Sequence, residues 1–436
     1  MSKNICVIGS WHLASVYANS LAKLGHNVIQ SDCNDMRIKT FNSGKLPFEE
    51  KGLPELLNEN LKKKRITFTS NISESINKSQ IIFLADDIPV INGKPDTQSF
   101  LNKSKDLLNF LNNNHTIVIS TQIPIGTCSK ILEFAKEKKL NLNLAYQPEF
   151  LRLGDALSIF LKPDYIVLGC SNQKTEQLLK EIYKKIKTNF HFMSVIDAEM
   201  LKHVINSYVA MSVSFSSEIS KICDAYGVDA FKVGLALKDD KRVGGKAYVL
   251  PGLGFTGGNL ERDINVLKNY AKNKKIKTIL LDAITNVNIL QGNLPRKKIS
   301  TLNKTLFNNK LKNITILGLS YKPGSNSIKG SYAISLAKSL IKVGFKINAY
   351  DPLVTKKDIG NLKISLSKSL EDACNNSELV AIMNNDPLYS HINLKKILEK
   401  NKKIKVIFDS YGIINSYEVT RLGLNYSTIG KGYDFI

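Results

Sequence analysis

Apolar residues in this chain follow two rhythms. In the first half, short apolar runs at Ile5–Ile8, Val28–Ser31, Ile81–Leu84, Thr116–Ile119 and Tyr165–Leu168 are separated by helix-sized stretches. That alternation predicts a parallel sheet covered by helices on both faces. The rhythm changes at Asp197. From there to Tyr226 there is no glycine or proline, and Leu201, Val204, Ile205, Tyr208 and Val209 recur at helical spacing. One helix of about 45 Å is expected, long enough to bridge domains or line a subunit interface. At Asn313 the strand–helix rhythm returns, continuing through Lys346–Tyr350, Leu379–Met383 and Val406–Phe408. The fold class is therefore α/β, with two doubly wound Rossmann-like domains joined by a central helical region. The expected boundaries are 1–196, 197–300 and 301–436, with the second linker inside Gly292–Asn313.

Composition adds limits. At 436 residues, 43% apolar and 23% charged, the chain is an ordinary globular one in all but its formal charge of +23. The excess is lysine in short runs, among them Lys62-Lys63-Lys64-Arg65, Lys184-Lys185-Ile-Lys187 and Lys274-Lys275-Ile-Lys277. These form a solvated surface, with attraction of a small anionic substrate as the sharper alternative. They lack interleaved aromatics and are dispersed, so nucleic acid is not an expected partner. No apolar run approaches the ~18 residues of a membrane span, and Asn4–Gly9 already has the pattern of a buried strand rather than a signal peptide. The six cysteines are scattered, with no Cys-x-x-Cys pair and no histidine at ligand spacing. No metal site is expected, and a reducing, cytoplasmic setting is.

Candidate chemistry begins where the first strand ends. Gly9-Ser-Trp-His-Leu-Ala14 leads into a helical pattern, and the second strand ends at Asp32. Strand, turn, helix, strand and acid is the dinucleotide-binding layout, the acid being placed for a ribose hydroxyl. Only the first fingerprint glycine is present, with Trp11 and Ala14 at the other two positions. Trp11 should crowd the pyrophosphate, so these residues alone leave open dinucleotide binding or an empty scaffold. A second loop, Pro251-Gly-Leu-Gly-Phe-Thr-Gly-Gly-Asn-Leu-Glu-Arg-Asp263, holds Gly252, Gly254, Gly257 and Gly258 within seven residues. No helix or strand interior tolerates that density, so this is a shaped loop that approaches a ligand.

Further motifs occur in a fixed order: Ser120-Thr-Gln-Ile-Pro-Ile-Gly126, Gln147-Pro-Glu-Phe-Leu-Arg152, Lys202 with Asn206, Asp240-Lys-Arg-Val-Gly244, and the glycine loop. Gly318-Leu-Ser-Tyr-Lys-Pro323, Tyr350-Asp-Pro352 and Tyr426-Ser-Thr-Ile-Gly-Lys431 follow. In this order and spacing the chain resembles the UDP-glucose/GDP-mannose dehydrogenase family over essentially its whole length. The resemblance implies an NAD domain, a central dimerisation region, a nucleotide-sugar domain and a homodimer. It implies NAD as cofactor, with Gly9, Trp11, His12, Leu13, Asp32, Thr121 and Arg262 beside it; Asp32 disfavours NADP by charge. It implies a nucleotide-sugar substrate held by Phe150, Leu151, Arg152, Lys202, Asn206, Arg242, Gly254, Phe255 and Lys322. Lys202, Asn206, Asn259, Asp263, Thr121 and Glu149 match catalytic positions. Arg242 matches an arginine that reaches across the dimer, or it pairs with Asp239 or Asp240. Glu199 is left between a role and a surface charge, and His203 faces packing.

The family oxidises a primary alcohol twice, with two NAD and a cysteine that forms a thiohemiacetal and then a thioester. Here Asn259 stands at the cysteine position and Arg262 at the lysine, while Asp263 is kept. Thr256 replaces a glycine, Leu153 a glutamate, Asp87-Ile88 a Thr-Pro, and Asp409-Ser-Tyr411 an Asp-x-Arg. Asparagine cannot form a thiohemiacetal. A single two-electron hydride transfer without a thioester is therefore expected. Oxidation to the acid through an aldehyde hydrate, and a non-catalytic nucleotide-sugar-binding subunit, remain alternatives.

Overall fold

The computed structural model describes residues 2–86, 88, 90–91, 94–256 and 258–431, so Asp87 and Gly257 lie outside the described residues. The chain forms two compact units, Met1–Val204 and Ile205–Ile436.

The first unit is built on an eight-stranded sheet. Its spatial order is Asn189–Met193, Tyr165–Cys170, Asn143–Tyr146, Thr116–Ile119, Ile81–Leu84, Asn4–Ile8, Asn27–Ser31, Ile66–Thr69. The five expected strands are present, and Ile66–Thr69, Asn143–Tyr146 and Asn189–Met193 were not anticipated. The last of these is an edge strand with no fully buried residue, so it lacks an apolar run. Six strands are parallel, as expected for a doubly wound sheet. Tyr165–Cys170 runs antiparallel to Asn143–Tyr146, a departure from the all-parallel reading.

Alternation within the strands separates the two faces. Ile5, Val7, Ile81, Phe83 and Val118 pack on one side against Leu13, Val16 and Tyr17. Cys6, Ile82, Leu84, Ile117 and Ile119 pack on the other against Cys128 and Ile131. Both faces are apolar because helices cover both, as in parallel sheets generally. Strand order reverses between Asn4–Ile8 and Ile81–Leu84. The loops after Ile8 and Leu84 thus flank the crevice where ligands bind in such sheets.

The long helix runs from Val195 to Tyr226, starting two residues earlier than expected, and the boundary between the units falls within it. In the second unit, helices Ala230–Asp239, Asn259–Asn273, Ile279–Gly292 and Leu294–Phe307 precede a six-stranded, all-parallel sheet. Asn313–Leu317 lies at its centre and the strand order again reverses beside it. The expected linker at Gly292–Asn313 is mostly helix. Ile299, Leu302 and Phe307 are buried in the second core, so this stretch packs rather than spans. Among the described residues, no helix is long and apolar enough to cross a membrane.

Gly318, at the end of the central strand, takes φ +84°, and a Cβ there would lie 2.2 Å from the Asn384 Cβ. Gly318→Ala should destabilise the second unit by about 2–3 kcal/mol through combined backbone strain and overlap. A urea midpoint unchanged from that of the unaltered chain would show that the turn can relax.

Candidate functional site

The cofactor end forms around Gly9. Its φ is +128°, and an added Cβ would stand 3.0 Å from the Ala14 Cβ and 3.2 Å from the Ala85 oxygen. Only glycine fits, and Ala14 is tolerated at the third fingerprint position because Gly9 has no side chain. The Gly9 N–H donates to the Ser31 oxygen (2.9 Å), while the Gln30 amide donates to the Gly9 oxygen (3.0 Å). Helix His12–Lys23 starts directly after, with Leu13 buried.

Trp11 does not fill the turn as the sequence suggested. The residue is 39% exposed, and its ring packs edge-on against Phe48 (5.4 Å) and lies under the Arg37 guanidinium (5.0 Å). Asp32, half-buried, follows strand Asn27–Ser31 and accepts the Asn34 N–H (2.8 Å). Thr121 is buried just beyond strand Thr116–Ile119 and donates to the Leu84 oxygen (3.2 Å). Gly9 and Asp32 thus stand at the C-terminal ends of adjacent strands, and Thr121 at that of the strand beyond Ile81–Leu84. A helix start without a Cβ before it and an acid at the next strand end suit a dinucleotide.

The Lys202 cluster lies in the same unit. Lys202 is buried and donates to the Glu149 carbonyl; its Nζ is 3.6 Å from Glu149 Oε1 and 5.1 Å from the Phe150 ring centre. Glu149 Oε2 accepts the Leu151 N–H (3.0 Å). Glu149, Phe150, Leu151 and Lys202 are therefore brought together. Arg152 is exposed, and its carbonyl closes a turn by accepting from Asp155.

Glu199 is not a surface charge. It is fully buried and accepts N–H groups of Gly126 (2.5 Å) and Cys128 (2.8 Å), capping helix Thr127–Glu137. Burial pushes its carboxyl above the ordinary range, and those amides oppose the rise. The Cys128 thiol is pushed well up, by burial first and then by Glu199. His203 donates from Nε2 to the Ile123 carbonyl (3.2 Å). Glu199 and His203, on either side of Lys202 in sequence, thus tie segment Ser120–Gly126 to the helix that carries the lysine. No short-range pattern pointed to this, since both bonds span more than 70 residues.

In the second unit the glycine loop is clamped from below. Gly254 has φ +91°, and a Cβ would meet Asn288 Oδ1 at 2.4 Å. Asn288 brackets Phe255, accepting its N–H (2.8 Å) and donating to its carbonyl (3.0 Å). The Tyr332 hydroxyl donates to the same carbonyl (2.9 Å), Gln291 to the Gly252 oxygen (2.6 Å), and Thr256 to the Gly330 oxygen. Tyr411 lies against Gly252, and Asp409 beside it is a buried carboxyl whose affinity for its proton is raised by burial. Asn288, Gln291 and Tyr332 escaped the sequence reading because ordinary helix residues there carry no motif.

Asn259 is exposed at the first position of helix Asn259–Asn273. One turn on, Asp263 is fully buried and accepts from the Asn206 amide; Arg262 Nε lies 3.6 Å from Asp263 Oδ1. Arg242 is exposed and pairs with Asp240 through Nε (3.0 Å) and Nη2 (2.6 Å), the second of the two readings given for it. Lys322 Nζ lies 5.7 Å from the Tyr321 ring.

The first unit holds a Rossmann-type sheet with a dinucleotide turn and a buried lysine–carboxylate cluster, and the second holds another such sheet and a clamped glycine loop. Each feature suits a nucleotide-dependent oxidoreductase. Three models of the UDP-glucose/GDP-mannose dehydrogenase family match the chain: the NAD binding domain at residues 3–187, the central domain at 196–289 and the UDP binding domain at 315–416. The UDP-glucose 6-dehydrogenase of Rickettsia bellii is 31% identical over 437 residues, covering 98% of this chain and 99% of that protein. A putative UDP-glucose 6-dehydrogenase of Bacillus subtilis is 29% identical over 433 residues, covering 98% and 99%. Among solved structures, a UDP-glucose dehydrogenase from Pyrobaculum islandicum superposes with a TM-score of 0.85 at 24% identity, covering 99% of this chain and 98% of that one. The chain belongs to the UDP-glucose/GDP-mannose dehydrogenase family, whose members are NAD-dependent dehydrogenases acting on CH–OH groups of nucleotide sugars.

The clamps make two measurable claims. Asn288→Leu removes both bonds to Phe255 and should cost about 1–3 kcal/mol, since the Phe255 N–H is left without that partner while its carbonyl keeps Tyr332. A loss below about 0.5 kcal/mol in urea unfolding would mean the loop does not depend on Asn288. Glu199→Gln keeps one acceptor and should lower kcat at least tenfold while KM for the sugar nucleotide changes less than threefold. A rise in KM alone would assign Glu199 to substrate binding instead.

Proposed function

We propose that this protein carries out a single two-electron oxidation of a nucleotide-sugar alcohol, or the reverse reduction, with no thioester intermediate. One observation carries the reading. Asn259, which by resemblance takes the place of the family cysteine, stands exposed at the first turn of the helix that holds Asp263. An amide can position an alcohol or carbonyl through hydrogen bonds but cannot attack it. The thiols support the same view, because desolvation pushes buried Cys6 and Cys374 and half-buried Cys170 up to about 12, and Cys128 well above its ordinary value. A thiol so held is protonated at neutral pH and a poor nucleophile.

NAD, when bound, supplies the acceptor for the hydride lost from the alcohol carbon. Gly9, Trp11, His12, Leu13, Asp32 and Thr121 would hold it. Lys202 stabilises the oxygen as its proton passes to solvent, and Glu149, whose carboxylate lies 3.6 Å from Lys202 Nζ, keeps that side chain oriented. Asn206 and Asp263 form a second fixed pair, the carboxylate holding the asparagine amide in one orientation. Phe150, Leu151, Arg152, Gly254, Phe255 and Lys322 are assigned to the substrate and Arg262 to the cofactor side. The relatives named as UDP-glucose 6-dehydrogenases make UDP-glucose the first substrate to test.

We also propose a homodimer through the long helix. Tyr208, Phe215 and Ile222 recur every seven residues and are 64%, 54% and 52% exposed, an apolar stripe suited to a second copy. Phe215→Glu should shift the chain from dimer to monomer in sedimentation, and a chain already monomeric before substitution refutes the arrangement.

The reaction is tested by stoichiometry. One NADH per product, with an aldehyde or ketone formed, is expected; two NADH and a uronic acid would establish the hydrate route. Lys202→Ala should lower kcat by about 10²–10⁴-fold. Cys33 is the exposed thiol, so Cys33→Ser should retain turnover in iodoacetamide. Inactivation of that variant would reinstate cysteine chemistry. Failure of the unaltered chain to bind NAD would favour a non-catalytic subunit.

A further inference from the structure

The carboxylate of Glu50 has no place in the reaction described above, yet it is among the most completely enclosed charges in the first unit. Its side chain is 0% exposed. Oε2 lies 2.7 Å from His12 Nε2 and 2.8 Å from the Gly154 N–H, and Oε1 accepts the Ala156 N–H at 2.8 Å. A buried carboxylate is stable only when its lone pairs are met by donors, and three donors meet this one. An ionised carboxylate has no hydrogen to give, so the His12 hydrogen must sit on Nε2. Nδ1 is then the ring's other polar atom. It is a lone pair in the neutral ring, and a second N–H donor, able to bind a phosphate, when the ring takes up a proton between the Glu50 charge and that anion. The His12 side chain is 12% exposed at the first position of helix His12–Lys23, where backbone N–H groups gather anions. Phe48, two residues before Glu50, packs edge-on against both Trp11 and His12 at 5.4 Å. One loop therefore braces the whole turn.

We propose that Glu50 is a positioning residue for the cofactor: it fixes the His12 imidazole so that this ring, together with the helix start, holds the NAD phosphates. The inference rests on NAD binding at this turn. It also gives a reason why the turn works with Trp11 and Ala14 in place of two glycines. A close backbone approach is exchanged for a side-chain donor whose orientation is set by a buried charge. The same carboxylate holds the turn that follows Phe150-Leu151-Arg152, so the cofactor turn and that segment share one anchor.

Trp11 is the single tryptophan of the chain and adjoins His12, so its fluorescence reports NAD directly. NAD titrations are made on the full chain, on His12→Phe, on Glu50→Gln and on the double variant. Each single change should weaken NAD binding about tenfold, the scale of one hydrogen bond to a charged group. If Glu50 acts through His12, the double variant is also weakened about tenfold and no further. Additive losses approaching a hundredfold, or unaltered affinity in Glu50→Gln, overturn the proposal. Should Glu50→Gln not fold, His12→Gln decides: its amide can donate both to Glu50 and to a phosphate, so affinity should stay within about threefold of the original. Weakening equal to that of His12→Phe overturns the assignment. A full chain whose binding of NAD, measured by calorimetry as well as by Trp11, is absent would refute NAD at this turn and not merely the role of Glu50.

Discussion

A carboxylate taken out of water must collect hydrogen bonds, and in this protein the donors are mostly backbone amides of loops that would otherwise be loose. Glu50 gathers amides of Gly154 and Ala156, and Glu199 those of Gly126 and Cys128. Asp351 takes Leu319, Ser320, Leu353 and Val354, and Asp409 takes Tyr411 and Ile414. Each bond repays part of the desolvation of the acid and satisfies an amide that the loop has removed from water. Loops at strand ends carry the ligand-facing residues of an α/β fold, so these anchors set the geometry of the sites.

The same economy appears around Lys202 and the glycine loop. Lys202 is buried against a carbonyl, a carboxylate and an aromatic face, so its position is fixed before any substrate arrives. The glycine loop has few side chains of its own and is held by Asn288, Gln291 and Tyr332 through its backbone. Preorganised polar groups of this kind stabilise developing charge without the cost of reorganising at the moment of reaction. In the proposed chemistry that matters more than a nucleophile, because a hydride transfer needs an oriented alcohol and a stabilised oxygen.

Much of the fold was legible from periodicity. Strands with continuous apolar runs, such as Ile81–Leu84, and the long glycine-free helix announce themselves because both faces, or one whole stripe, must be buried. The edge strand Asn189–Met193 did not, since a half-exposed strand needs no such run. Helix Leu294–Phe307 was taken for a linker because Pro295 and the lysines of Pro295-Arg-Lys-Lys298 obscure a stripe that Ile299, Leu302 and Phe307 complete only in the core. At the site, Gly9 could be named by spacing, and Lys202, Glu149 and Asp263 by the resemblance to the family. Glu50, Asn288 and the buried capping contacts of Glu199 could not, because the partners lie tens of residues away.

The sequence by itself determined the two strand–helix series, the helix between them, the dinucleotide turn and the residues that place the chain in its family. Those depend on local spacing: a residue period of two or 3.6, a glycine where no Cβ fits, an acid at the next strand end. Tertiary structure alone decided where the charges went. It turned Trp11 outward onto Phe48 and Arg37, buried Glu199 as a helix cap, and gave His12 a carboxylate to lean on. A side chain's burial and hydrogen-bond partners depend on which distant backbone groups folding leaves unsatisfied nearby, and no local pattern records that.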